Sequence, residues 1–292
     1  MASKVYFTKD ISQEGLLKIY EVLGAKLKGK VAVKISSGEP GGKHFLNPQL
    51  IKPLVNKLNG TIVECNTAYK GRRHNSKDHW EAIREHGFLD IAPCDILDED
   101  GEKALPVKGG IQLRENFVGD HIDKYDSMLV LSHFKGHVAG GFGGAIKNIA
   151  IGVASSRGKT LVHTAGTTDD LKLAWSGDQN AFLESMADAF KSVVEYMGKE
   201  NFAYVSVANN LSVDCDCDSH PAPPQMADIG IFASLDPGAL DWACVDAVYA
   251  SKDEGKAALI ERMESRNAFL TLEAAQKHGL GQKEYELVNI DL

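Results

Sequence analysis

No stretch of the 292 residues approaches the length of apolar sequence that spans a bilayer, and the opening MASKVYFTKD has no apolar run behind a basic segment. These absences argue against a membrane-spanning helix and a secretory leader, so no membrane partner is expected and the cytoplasm is the expected compartment. Clustered Lys and Arg are missing too. With a formal net charge of −8, the chain lacks the basic face that phosphate backbones require, and no nucleic-acid partner is expected. Cysteine is scarce: five residues, at 65, 94, 215, 217 and 244. The odd count and irregular spacing suggest free thiols in a reducing compartment rather than a disulfide scaffold. No CxxCxxC run occurs, so a ferredoxin-type iron–sulfur cluster is not expected. There is no fixed-period repeat and no low-complexity tract.

What is present is an alternation of strand-like and helix-like segments. Residues 4–7, 31–35, 61–64, 127–131, 202–207 and 229–233 read as strands. Residues 11–27, 48–58, 77–86 and 180–197 carry apolar side chains at helical spacing. Gly198 ends the last of these, and Asp236-Pro237 reads as an N-cap followed by a first-turn proline, opening a helix to about residue 249. The pattern predicts an α/β fold, a largely parallel sheet flanked by helices. The length suits a single unit over residues 1–292, with two closely packed lobes also compatible. Residues 165–178 read as a short linker.

The densest chemistry lies in SHFKGHVAGGFGGAIKNIAIG, residues 132–152. It follows a buried strand, where parallel sheets gather ligands at their carboxyl ends. His133 and His137 are candidate acid–base residues or metal ligands. Gly141, Gly143 and Gly144 let backbone amides approach an anion, Asn148 lies just beyond, and the turn into a helix at residues 143–146 would offer free N–H groups. Lys147 adds a cation or a reactive amine. The Walker pattern is absent, since Lys147 precedes Asn148. A hydrated loop with structural histidines is the plainer alternative.

Two further clusters matter. DCDCDSH (214–220) sets Cys215 and Cys217 within reach of one soft metal, with His220 as a third donor. A surface loop with packed cysteines is its alternative. CNTAYKGRRHN (65–75) offers Arg72 and Arg73, whose forked guanidinium groups suit a carboxylate or phosphate. Asp241 and Asp246, on the late helix, read as solvated or capping charges.

These blocks carry a resemblance. CNTAYKGRRHNSKDH (65–79), SHFKGHVAGGFGGAIKNIAIGVASSRGK (132–159) and CDCDSHPAPPQMADIGIFASLDPGALDWACVD (215–246) closely resemble the prokaryotic Fe–S centre proteins, a domain-of-unknown-function family. Many of its members carry a ferredoxin-like insertion with cysteine runs in the interval that here spans only residues 165–174. That interval has no cysteine, so the family's iron–sulfur label does not transfer. A fainter similarity, in the order and spacing of His137, Gly143-Gly144 and Lys147, is to lactate racemase, where such residues contact a nickel-pincer nucleotide and the substrate. This similarity favours acid–base or hydride chemistry on a small carboxylate and carries no expectation of that cofactor.

Together these readings lead to an enzyme with a small anionic ligand. His133, His137 and Lys147 are its expected catalytic residues. Gly141, Gly143, Gly144, Asn148, Arg72 and Arg73 hold the ligand, and His133, His137, Cys215 and Cys217 are the expected ligands of a divalent metal. The alternative is a non-catalytic metal-binding protein, or one serving a redox partner protein, that uses the CDCDSH loop.

Overall fold

The computed structural model describes residues 2–291. In chain order its strands are β1 (Ser3–Thr8), β2 (Val31–Lys34), β3 (Thr61–Glu64), β4 (Cys94–Ile96), β5 (Glu102–Pro106), β6 (Glu115–Gly119), β7 (Ser127–His133), β8 (Lys135–His137), β9 (Gly141–Gly143), β10 (Phe202–Ala208), β11 (Gly230–Ser234) and β12 (Tyr285–Asn289). The α-helices are α1 (Gln13–Leu23), α2 (Pro48–Lys57), α3 (Ser76–Glu85), α4 (Ala145–Ala150), α5 (Ser156–His163), α6 (Gln179–Met197), α7 (Pro237–Ala250), α8 (Lys256–Ser265) and α9 (Phe269–Lys277).

Eight strands form one sheet in the order β12-β1-β11-β10-β7-β2-β3-β4. Only β11 is reversed, pairing antiparallel with both β1 and β10. The rest are parallel, and the central strands β2, β7 and β10 are buried along their whole length, as parallel strands covered on both faces are. Side-chain alternation divides the core cleanly. Leu129 and Leu131 of β7 pack with α1 and α2 on one face, while Met128 and Val130 face α4, α6 and α7 on the other.

Strand order explains where the site lies. From β2 the chain builds outward through β3 and β4. From β7 it builds the opposite way through β10 and β11. The adjacent pair β2 and β7 is therefore a switch point, and the crevice beyond its carboxyl ends is where such sheets hold ligands.

Local signals end the helices as the residues dictate. Gly24 closes α1 at φ 65°, earlier than the apolar pattern to residue 27 implies. Gly198 closes α6 at φ 87°, and Asp236 caps α7 by accepting from the Ala239 amide at 3.0 Å, with Pro237 at its start. Residues 165–178 hold a short 3-10 turn, Leu171–Leu173. No helix among the described residues is long and apolar enough to cross a membrane.

One buried carboxylate locks the second face. Asp188, on α6, accepts from the backbone amides of Ile111, Gln112 and Leu113 at 2.9, 2.7 and 2.9 Å and meets His278 Nε2 at 2.6 Å. Replacing it with alanine leaves three amides without their acceptor, the Leu113 one fully buried. Asp188→Ala should lower unfolding stability by about 3–5 kcal/mol, measured by urea denaturation. A loss under about 1 kcal/mol would show that water replaces the carboxylate.

Candidate active site

β7 ends in Ser132 and His133, and the chain then turns into a short hairpin. Lys135 pairs with Gly143, and His137 with Gly141. This hairpin stands where the sequence suggested a plain loop leading to α4. Gly136 has no room for a side chain, since a Cβ would lie 2.4 Å from the Val213 carbonyl oxygen. The hairpin and the 211–219 segment thus form one wall of a cavity of about 410 Å³. The ends of β2 and β3, the 65–73 loop, and helices α4 and α5 form the others.

Six basic side chains line this cavity: Lys34, Lys70, Arg73, Lys135, Lys147 and Lys159. Four carboxylates accompany them, Glu39, Glu64, Asp216 and Asp218. In a chain of net charge −8, this is a local excess of basic over acidic side chains.

The three buried carboxylates are already engaged. Arg73 lies 3.1 Å from Glu39 and 3.3 Å from Glu64. Lys34 is 3.7 Å from Glu64 and donates to Asn148 Oδ1 at 3.1 Å. Burial pushes the Glu64 carboxyl up, but Arg73, His79 and Lys34 together hold it well below the usual range. Asp216 bridges His133 Nδ1 and Lys135 Nζ, each at 2.8 Å. Burial would raise its pKa, and these two partners bring it below the ordinary value.

Among the described residues three lining lysines have no carboxylate partner: Lys70, which is exposed, Lys147 and Lys159. Lys159 is 6% exposed and donates only to the Ala154 carbonyl, at 2.5 Å. Lys147 has no hydrogen-bond partner among the described residues. Burial, with Lys34, Lys159 and Arg73 nearby, brings its amine down to about 7. Burial likewise holds His137 well below its ordinary value and His163 at about 4, so both rings are neutral near pH 7.

The histidine tautomers follow from their neighbours. His137 Nδ1 accepts from the amides of Ala139 (3.1 Å) and Gly140 (2.8 Å), which places its hydrogen on Nε2. His163 Nδ1 donates to the Lys159 carbonyl at 2.7 Å, which leaves Nε2 with a free lone pair. His133 faces acceptors at both nitrogens, Asp216 and the Asn209 carbonyl (2.7 Å), so no lone pair is directed at a metal.

Several expected roles change with these positions. Arg72 lies outside the cavity, its fork on Glu85 of α3 at 2.6 and 2.8 Å. Arg73 lines the cavity but is tied to its two glutamates. Gly141 is also outside, its turn at φ 77° packed on Ala268 and Met263. Gly143, Gly144 and Asn148 line the cavity, where Asn148 joins α4 to the sheet by donating to Ser132 Oγ (3.0 Å) and the Lys34 carbonyl (3.2 Å). The free amides expected at the start of α4 are taken: Asp241 accepts from Ala145 at 2.7 Å and Ile146 at 3.1 Å. Burial lifts that carboxyl to about 7.

The thiols differ as well. Cys215 and Cys217 form a disulfide; their Cα atoms, 5.3 Å apart, are within bridging range. Ligand atoms of His137, Cys215 and Cys217 lie within 4.8 Å of one another, with Cys217 Sγ 3.8 Å from His137 Nε2. His133 and His220 are not in this group. Cys65 is buried against the Val153 carbonyl (3.1 Å), and Cys244 is also buried. The cysteines are therefore not gathered as a four-thiol set, and the residues do not fit a ferredoxin-type cluster.

Lys159 and His163 were not singled out by the sequence, although their four-residue spacing puts both on one face of α5. Lys34 and Trp175, also in the lining, read in sequence as an ordinary strand residue and a linker residue.

Residues 31–246 match a family described as a domain of unknown function (DUF362). Comparison with curated proteins finds no match. Among solved structures, the chain is similar to the lactate racemase apoprotein from Thermoanaerobacterium thermosaccharolyticum at 14% identity and a TM-score of 0.48, covering 83% of this chain and 56% of that one. It is similar to a structural-genomics target protein from Thermotoga maritima at 15% identity and a TM-score of 0.47, covering 81% and 58%. The chain thus spans somewhat over half the length of either.

Lys147 can be tested without a substrate. Its folded pKa lies below its unfolded one, so between about 7 and the ordinary lysine value the unfolded chain holds the extra proton. This contribution to stability rises with pH across that window, and below it a charged amine opposes folding. Lys147→Met should stabilise the protein at pH 6, on the order of 2 kcal/mol, with the gain shrinking toward pH 10. A gain that does not vary with pH would contradict this electrostatic origin.

Proposed function

This chain belongs to the DUF362 family, and from that premise we propose that it is an acid–base enzyme acting on a small carboxylate. The observation that carries the proposal is Lys147: an unpartnered amine brought to about 7 inside a cationic cavity whose buried carboxylates are engaged elsewhere. Catalytic bases work best with a pKa near the operating pH. Lys159 anchors the substrate carboxylate, in place of the α4 amides that Asp241 occupies. Lys147 Nζ takes a proton from the carbon beside that carboxylate, so a C–H bond breaks and an N–H bond forms. The negative charge moves onto the carboxylate oxygens, where Lys159 and the His137 Nε2–H stabilise it. Return of a proton completes an isomerisation or exchange, with His163 Nε2 as the acceptor available for a substrate hydroxyl or amine.

Hydrogen–deuterium exchange at the carbon next to the carboxylate, followed by NMR in D₂O across a panel of small 2-hydroxy, 2-amino and unsubstituted acids, tests this reading. Exchange should rise with pH through about 7 as the amine loses its proton. Lys147→Met should slow it by at least about 100-fold, and His137→Gln should slow it with the fold intact. Wild-type rates in Lys147→Met would remove the lysine from the reaction.

A second reading is favoured by the grouping of His137, Cys215 and Cys217. Once the disulfide is reduced, two thiolates and an imidazole suit a soft divalent ion such as zinc. Coordination through Nε2 would require His137 to move its hydrogen to Nδ1 and break the amide contacts from Ala139 and Gly140. Under this reading, anaerobically reduced protein takes up one zinc per chain by elemental analysis, Cys215→Ser does not, and the Lys147 substitution has no effect on uptake.

A further inference from the structure

The carboxylate reading accounts for the cationic floor of the cavity and leaves its mouth unexplained. There the side chains change character. Trp175 is 60% exposed and Val138 50% exposed, yet both line the cavity. Single exposed apolar residues are ordinary, but two bordering the entrance to a buried charged site are candidates for ligand contact.

Trp175 rests against a packed neighbour. The preceding Ala174 is buried. The indole meets the His163 ring at a centroid distance of 4.7 Å and an interplanar angle of 71°. His163 in turn stacks on Phe182 at 4.6 Å, and its Nδ1 is fixed to the Lys159 carbonyl. An indole already in contact along one edge has less freedom to lose on binding than a side chain free on all sides.

The lining brings both kinds of contact into one space. Lys159 and His163 are four residues apart on α5, about 6 Å along its axis, the indole touches the His163 ring, and all three side chains border the same cavity. A carboxylate on Lys159 and an apolar group on Trp175 would therefore share that cavity. The cavity, about 410 Å³, falls within the range that accommodates drug-sized ligands, roughly 300–1,000 Å³, which leaves space beyond a three-carbon acid. Flat rings gain more from an indole than flexible chains do, through offset or edge contacts.

We infer that the ligand is a small carboxylate bearing an aromatic ring, with Trp175 as the residue that recognises the ring. The inference rests on the carboxylate reading above and adds the substrate class to it.

Calorimetric titration of the full chain with propanoate and with 3-phenylpropanoate, acids that share a head group and differ in the ring, tests it. Wild-type protein should bind the phenyl acid at least about tenfold more tightly than propanoate. Trp175→Ala should remove most of that advantage and leave propanoate affinity unchanged, with circular dichroism confirming the fold. Lys159→Met should weaken both acids. If propanoate binds through Lys159 and the ring adds nothing, or if the ring's advantage survives Trp175→Ala, the inference fails and the carboxylate reading stands. If neither acid binds the wild type, both are overturned.

Discussion

Buried charge needs a partner, and in this cavity three carboxylates decide which cations have one. Glu39 and Glu64 hold Arg73 and, through Glu64, Lys34. Asp216 holds Lys135 and His133. These pairings join the ends of β2, β3 and β7 to the 65–73 and 211–219 segments, so the walls of the site are fastened by the same contacts that neutralise them. Lys147 and Lys159 are outside this accounting. Because a desolvated ammonium without a counter-charge is costly, the cavity favours either a neutral amine or an added anion. A site with both options can bind a negative group and also accept a proton.

Much of the fold was legible because its core signals are local. The apolar runs at 31–35 and 127–131 needed no distant information to read as buried strands. The spacing of Phe182, Met186, Phe190 and Val193 defines α6, all four being buried in the structure. Gly198 and Asp236-Pro237 act where they stand. The hairpin of β8 and β9 was not legible, since strands of three residues are too short for alternation to register. Its position depends on Val213, which packs on Gly136 from nearly eighty residues away in sequence.

The candidate site was legible in part for the same reason. Residue types marked the 132–152 stretch, and the strand before it indicated the end of the sheet on which it lies. Which residues face the cavity is a tertiary matter. Adjacent Arg72 and Arg73 look equivalent in sequence, yet one pairs with Glu85 on the outer face of α3 and the other is buried between two glutamates. Cys65 resembles the other cysteines until its thiol is found against the Val153 carbonyl, where burial raises its pKa. Partnering of this kind joins residues dozens of positions apart, and no local pattern encodes it.

The contact between Asp241 and the first amides of α4 has a further consequence. Helix starts commonly await an anionic ligand and become ordered when it arrives. Here α7 supplies a buried carboxyl acceptor from within the chain, so the register of α4, and with it the place of Lys147 one turn along, is preorganised. An anion entering the cavity would meet a lysine already in place, and little of its interaction energy would go into ordering α4.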